Sequence, residues 1–171
     1  VEMPDRRLLM VMRGSNDANP EIPGTKWFSI SEDGAQSWSV PQPWAYTDGD
    51  VFYSPSACSQ LLMHSSGRIF WVGNICPENP RGNGPRHPLL IGEVDPNSML
   101  LRKETLLTID QRQPGDASSL QLSNFHARED LMTGEIIVHL SPFGRNPTQT
   151  GQGIDWTGDA YVYRVQVEAV E

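Results

Sequence analysis

The chain has 171 residues and a formal charge of −8, a length that suits one well-cored domain. Its acidic and basic residues are scattered instead of blocked, so no basic stripe is offered to a phosphate backbone and no nucleic acid partner is expected. No apolar run approaches the roughly 18 to 20 residues that span a bilayer, so no membrane partner is expected either, and the opening VEMPDRRLLMVMRG lacks the basic-then-apolar layout of a secretory signal.

Fifteen glycines and fourteen prolines cut the sequence into short pieces, and no segment keeps an i, i+3, i+4 apolar pattern for the length of a stable helix. Strands are predicted over 6–13, 26–31, 57–64, 68–74, 87–94, 103–109, 120–127, 135–141 and 159–167, each bounded by Gly, Pro, Asn or Asp clusters. Tight hairpins are predicted at Ser65-Ser66-Gly67 and at Thr133-Gly134. Hairpins alternating with longer Pro/Gly-rich connections suggest repeated antiparallel sheets, and at roughly 40 to 50 residues per four-stranded blade the chain holds about three.

Three blades do not close a ring. The expected fold class is therefore all-β, with residues 1–171 forming a single domain that is part of a larger β-propeller. The missing blades, or a second copy of the chain, would cover its open edges. A sandwich of about nine strands is the alternative. Cys58 and Cys76 are too few for a zinc site and match no metal spacing, so neither a metal nor a cofactor is expected; their neighbouring predicted strands leave open a disulfide or two buried thiols.

At 29–38 the sequence reads SISEDGAQSW. An aspartate that accepts backbone N–H bonds, a glycine free to take positive φ and a tryptophan that folds back are the parts of a turn that locks a strand end. With Ser31, Asp33, Gly34, Ser37 and Trp38, the stretch resembles the Asp box of the sialidase (neuraminidase) superfamily, S-x-D-x-G-x-[ST]-W, also called the BNR repeat. It departs at Ala35, where that repeat has glycine and where Gly34 is expected to take up the strain. The box is architectural and implies no chemistry. VEMPDRRLLMVMRGSN resembles the strand of that superfamily that ends in the second arginine of the triad gripping the sialic acid carboxylate, which falls on Arg13. PENPRGNGPRHPLLIGEV is similar to the segment delivering the third, for which Arg86 is the first choice and Arg81 the second. QLSNFHAREDLMTGEIIVHL resembles the last inner hairpin.

The resemblance implies a sialidase-like propeller of about six blades, a glycoside hydrolase or carbohydrate-binding protein that is secreted or periplasmic and takes a saccharide or glycoconjugate, an acidic one in view of the two arginines. It also carries departures. Leu122 stands where the nucleophilic tyrosine belongs, and the first arginine, the acid/base aspartate and the partner glutamate of the family pattern lie upstream of Val1. A non-catalytic glycan-binding or protein-interaction propeller is the alternative. On alternation, Leu122, Asn124, His126 and Arg128 share one face, which is polar enough to meet a ligand. Asn124 is a candidate substrate contact and His126 a candidate acid/base. Tyr53 is a candidate either to stack on a sugar or to replace the nucleophile. Asp48 and Asp50 read as a solvated turn, and Asp155 and Trp156 precede a closing strand, with Trp156 capping the core or lining a saccharide groove.

Overall fold

Short strands joined by turns make up the described chain, which in this computed structural model comprises residues 1–150, 153–155 and 158–168, the stretches 148–150 and 153–155 through their backbone alone. The Asp155 side chain and Trp156 lie outside the described residues. In chain order the strands are β1 (Leu8–Arg13), β2 (Lys26–Ser31), β3 (Gln42–Pro43), β4 (Gln60–Met63), β5 (Ile69–Asn74), β6 (Leu89–Val94), β7 (Leu107–Asp110), β8 (His126–Glu129), β9 (Ile136–Leu140), β10 (Thr148–Thr150), β11 (Gly153–Asp155) and β12 (Tyr161–Val165), with a 3-10 turn at Lys103–Thr105. They form three antiparallel sheets, β1-β2-β3, β4-β5-β6-β7 and β12-β9-β8, beside a β10-β11 ribbon. No helix among the described residues is long and apolar enough to cross a membrane.

The sequence of β5, IFWVGN, explains how the sheets stack. All six residues are buried, and strand alternation sends successive side chains to opposite faces. Ile69 and Trp71 join one apolar cluster with Leu9, Trp44, Phe52 and Leu101, while Phe70 and Val72 join another with Leu122, Ile136 and Val138. The middle sheet is thus covered on both faces by different partners, an arrangement that calls for the near-continuous hydrophobic run seen here. Three layers result, and the two-layer sandwich alternative is not found. Trp71 is fully buried with its ring 5.6 Å from that of Trp44, edge to face. The second and third sheets are also tied by polar groups. The Gln60 side chain of β4 donates to Ala127 O at 2.5 Å and accepts from Ala127 N at 2.9 Å on β8, and the Tyr163 hydroxyl of β12 donates to the Asp110 carboxylate of β7, which the loop residue Arg145 also pairs at 3.0 Å.

Both predicted hairpins form, with Gly67 at φ 82° and Gly134 at φ 71° in their turns. Other expectations shift for local reasons. Only β4 to β7 make a four-stranded sheet among the described residues. β3, where no strand was expected, spans only two residues because Pro41 and Pro43 bring no N–H to a ladder. The segment expected as a strand over 103–109 opens as a 3-10 turn and extends only at Leu107–Asp110. The strand expected over 120–127 is broken by Asn124, whose φ of 59° is left-handed, so β8 begins at His126.

Candidate functional site

The first sheet meets the segment leading into the second where β1 finishes and β2 begins. Register places Arg13 opposite Lys26, and opposed residues of an antiparallel pair project from the same face. Arg13 stays exposed, whereas Lys26 is fully buried. Its Nζ donates to Pro55 O at 3.2 Å and to Ala57 O at 2.5 Å, tying the first sheet to the segment that leads into β4. Burial pushes the Lys26 amine down to about 8 from an ordinary 10.5; Cys58 and Cys76 oppose that fall, and the positive charges of Arg13 and Arg86 add to it. Residues far apart in sequence therefore act on a single ammonium.

Arg86 precedes β6 and is held by donating from Nε to Asn83 O at 2.9 Å and from Nη1 to Gln121 Oε1 at 3.2 Å and Ser123 Oγ at 3.1 Å. A groove of about 470 Å³ lined by Asn83, Pro85, Arg86 and Gln121 runs beside it. No carboxylate pairs with Arg13, Lys26 or Arg86 among the described residues. A planar guanidinium can hold a carboxylate through two parallel bonds, and Arg13 and Arg86 each leave that capacity unused by any carboxylate of the described residues. Arg81 is exposed on a neighbouring loop, in a turn closed by its own backbone bonds with Gly84 and anchored by Asn16, which accepts from Gly82 N at 2.8 Å. Gly82 has φ 53°, a left-handed conformation that favours glycine, and a Cβ there would sit 2.0 Å from the exposed Asp17 carboxylate.

Cys58 and Cys76 are both free thiols. Cys76 is buried, which pushes its thiol up to about 11 against the opposing charge of Lys26. Cys58 Sγ accepts from Asn124 N at 3.2 Å, bringing Asn124 to the edge of the cluster. Tyr53 is 38% exposed and its carbonyl accepts from Cys76 N at 2.8 Å. His126 is exposed at the start of β8, opposite His139, and has no acid or hydroxyl partner among the described residues. Leu122 does not share the face of Asn124 and His126. It is fully buried in the second apolar cluster, because the left-handed Asn124 resets the alternation between them. Asp48 and Asp50 flank a turn at Gly49 and pair with Lys103 at 3.5 and 3.0 Å.

Ser31 lies at the other end of the β1-β2 hairpin, opposite Leu8, about 17 Å from Lys26 at 3.4 Å per residue. Asp33 there accepts from Ser31 Oγ, Ser37 N and Ser37 Oγ at 2.9, 2.9 and 2.6 Å, and these bonds, those of Ser37 foremost, hold its carboxyl at about 2. Gly34 does not spare its neighbour: Gly34 has φ 71° and Ala35 φ 72°, so Ala35 itself carries the left-handed conformation. Trp38 remains 36% exposed beside Ile30 and Ser39. At this same far end His64, 6% exposed, joins Ser66 Oγ at 2.8 Å and Gly134 O at 2.9 Å and lies 3.3 Å from Glu129. It latches the β4-β5 turn to the β8-β9 turn.

Lys26 and His64 are the residues that sequence reasoning passed over. A lysine opening a strand reads as solvated, and its place opposite Arg13 is set by a register that only the structure shows. Among the described residues no group of three His, Cys, Asp or Glu side chains is placed to hold a metal ion.

These features define a stack of antiparallel β-sheets with a cationic end. No protein-family model and no curated protein matches the chain. It is similar in fold to the crystal structure of a GH43_12 retrieved from capybara gut metagenome, with a TM-score of 0.53 over 93% of this chain at 17% sequence identity. The chain spans about a quarter of that protein, 26% of its length. The GH43 glycoside hydrolase is a five-bladed β-propeller, so the likeness is to part of a propeller and is not specifically to a sialidase.

Proposed function

We propose that the chain is part of a carbohydrate-active β-propeller whose cationic end binds an acidic saccharide, Arg13 and Arg86 receiving its carboxylate. The observation that carries this reading is an exposed Arg13 at the end of β1 and an Arg86 lining a groove ahead of β6, neither paired with a carboxylate among the described residues. The GH43_12 likeness supports the glycoside hydrolase architecture. The Asp33 turn supports a sialidase-like architecture for it, and the two arginines support the site. In this reading residues 1–171 form one partial propeller, its ring completed by further blades or by a second copy. Tyr53 stacks on the sugar and Asn124 adds a polar contact.

Glycoside hydrolysis needs a nucleophile or activated water together with an acid. Leu122 offers neither and faces the core, and that observation favours a second reading, in which the propeller holds the glycan without cleaving it. Calorimetric titration with N-acetylneuraminic acid, with galactose as the neutral control, tests the site. Arg13→Ala and Arg86→Ala should each weaken binding of the acid about tenfold or more, the worth of about 1.4 kcal/mol. Equal binding of both sugars, or no loss in either variant, would refute it. Turnover of a panel of aryl glycosides including the sialoside, abolished by Tyr53→Phe, would select the enzyme; binding without turnover would select the second reading.

A further inference from the structure

At the end of the β1-β2 hairpin remote from Arg13, a groove of about 550 Å³ runs beside Trp38, with Ile30, Glu32, Asp33 and Ser37 along it. That volume lies in the range of ligand sites, which combine aromatic or apolar surface with a few placed polar groups. Trp38 keeps 36% of its surface exposed, because the turn beside it closes without the indole: Asp33 binds Ser31 and Ser37, and Ser39 ties the chain back to Ile30. The indole N–H has no acceptor among the described residues. The exposed Glu32 carboxylate accepts no hydrogen bond from another described residue, and Arg7, the cation it acts on, is paired with Asp5 at 2.6 Å. Ser37 Oγ donates to Asp33, which leaves its own lone pairs free to accept. The groove thus offers one aromatic ring, several acceptors, one N–H donor and no cation.

We propose that this groove is a second saccharide site, which takes a neutral β-linked disaccharide of all-equatorial pyranoses with one ring stacked on Trp38 and hydroxyls donating to Glu32 and Ser37 Oγ. Each feature of the ligand answers one of the groove. Hydroxyl groups supply the donors that an acceptor-rich wall lacks, and the indole N–H donates to a hydroxyl in return. A carboxylate or phosphate on the sugar would meet Glu32 and Asp33 with like charge and no lining cation to offset it. An all-equatorial pyranose turns a flat face of C–H groups to the indole, the apolar contact that an amphipathic aromatic ring provides; an axial hydroxyl interrupts that face. The volume suits a ligand longer than one ring. A small ammonium ion fits less well, because recognition of such cations uses a cage of several rings and Trp38 is the one aromatic residue in the lining. The site is independent of the arginines, which lie at the other end of the hairpin and are read as receiving an anion.

The chain has five tryptophans, and the indole N–H resonance of Trp38 is the one missing from the spectrum of Trp38→Leu. On titration of the wild-type chain with cellobiose that resonance should move and saturate, while those of the buried Trp44 and Trp71 stay in place. Glu32→Ala should weaken binding about threefold or more, and Trp38→Leu, followed through the Ser39 amide, about tenfold or more. Glucuronic acid, choline and free galactose, which has one ring and an axial hydroxyl, should leave the Trp38 resonance unmoved. Excess N-acetylneuraminic acid should not displace the cellobiose, whether or not it binds at the arginines. Should Trp38→Leu fail to fold, the indole resonance is assigned through its contacts to Ile30, and Glu32→Ala with the wild-type titration decides. An unmoved Trp38 resonance, undiminished binding in Glu32→Ala, or saturation by choline in place of cellobiose would overturn the site. Displacement of cellobiose by the acid would place the disaccharide at the arginines and overturn it as well, while failure of the acid alone would remove only the arginine site.

Discussion

Replacing Lys26 by methionine should change how stability depends on pH, and the size of the change follows from the environment of one amine. In the fold Lys26 titrates at about 8, against 10.5 in an ordinary setting. Between those values the unfolded chain binds the proton that the folded chain has released, so stability rises as pH rises through the window. The difference of 10.5 − 8, about 2.5 units, is worth about 3 kcal/mol at roughly 1.4 kcal/mol per unit. Below pH 8 the full cost of the buried charge is present; above 10.5 it is gone. Cys76 works the other way, because its thiol is raised from 9 to about 11 and its contribution is lost as pH climbs through that range. Tyr46 and Tyr163, both raised chiefly by burial, act with Cys76. Wild-type stability alone is therefore a poor reporter, and the quantity to measure is the difference between wild type and Lys26→Met in urea unfolding at half-unit steps from pH 7 to 10.5. That difference should move in favour of wild type by about 3 kcal/mol across the window. A flat difference, or one moving towards the variant, would show that the buried amine carries no such penalty.

Three further outcomes follow from the packing and the turns. Ala35→Gly should stabilise the chain by about 1 kcal/mol, read as a higher midpoint in thermal unfolding, since an L-residue in the left-handed region pays a steric penalty that glycine escapes; a lower midpoint would mean the turn is not strained. Trp71→Ala should cost about 3 to 5 kcal/mol, because it empties the face of β5 that packs on Trp44 and Phe52; a loss below 1 kcal/mol in urea unfolding would show that the first two sheets are not held by this cluster. Ser37→Ala should raise the Asp33 carboxyl midpoint from about 2, as followed by the carboxyl carbon resonance, and an unchanged midpoint would contradict the hydrogen bonding of that turn.

Particular residues show how far the chain could be read in advance. The positions of β1, β2, β5 and β9 follow from alternation bounded by turn residues, and both glycine hairpins from their own dipeptides. The Asp33 turn was legible because all its bonds close within a few residues. Leu122 was misplaced because alternation assumes an unbroken strand, and a left-handed Asn124 announces itself only in coordinates. Arg13 and Arg86 were named from resemblance, and Lys26, buried opposite Arg13, gave no signal as a strand-opening lysine.

Local chemistry, written residue by residue, determined that this protein is all-β, where most of its strands run and which turns reverse them, because those choices depend on backbone freedom and neighbours within a few positions. The stacking of three sheets about β5, the burial of Lys26 beneath two backbone carbonyls and the assembly of a cationic end were decided by tertiary structure. A charge's cost and a side chain's neighbours depend on which distant surfaces exclude water from it, and that is a property of the packed layers and not of the strand that carries the residue.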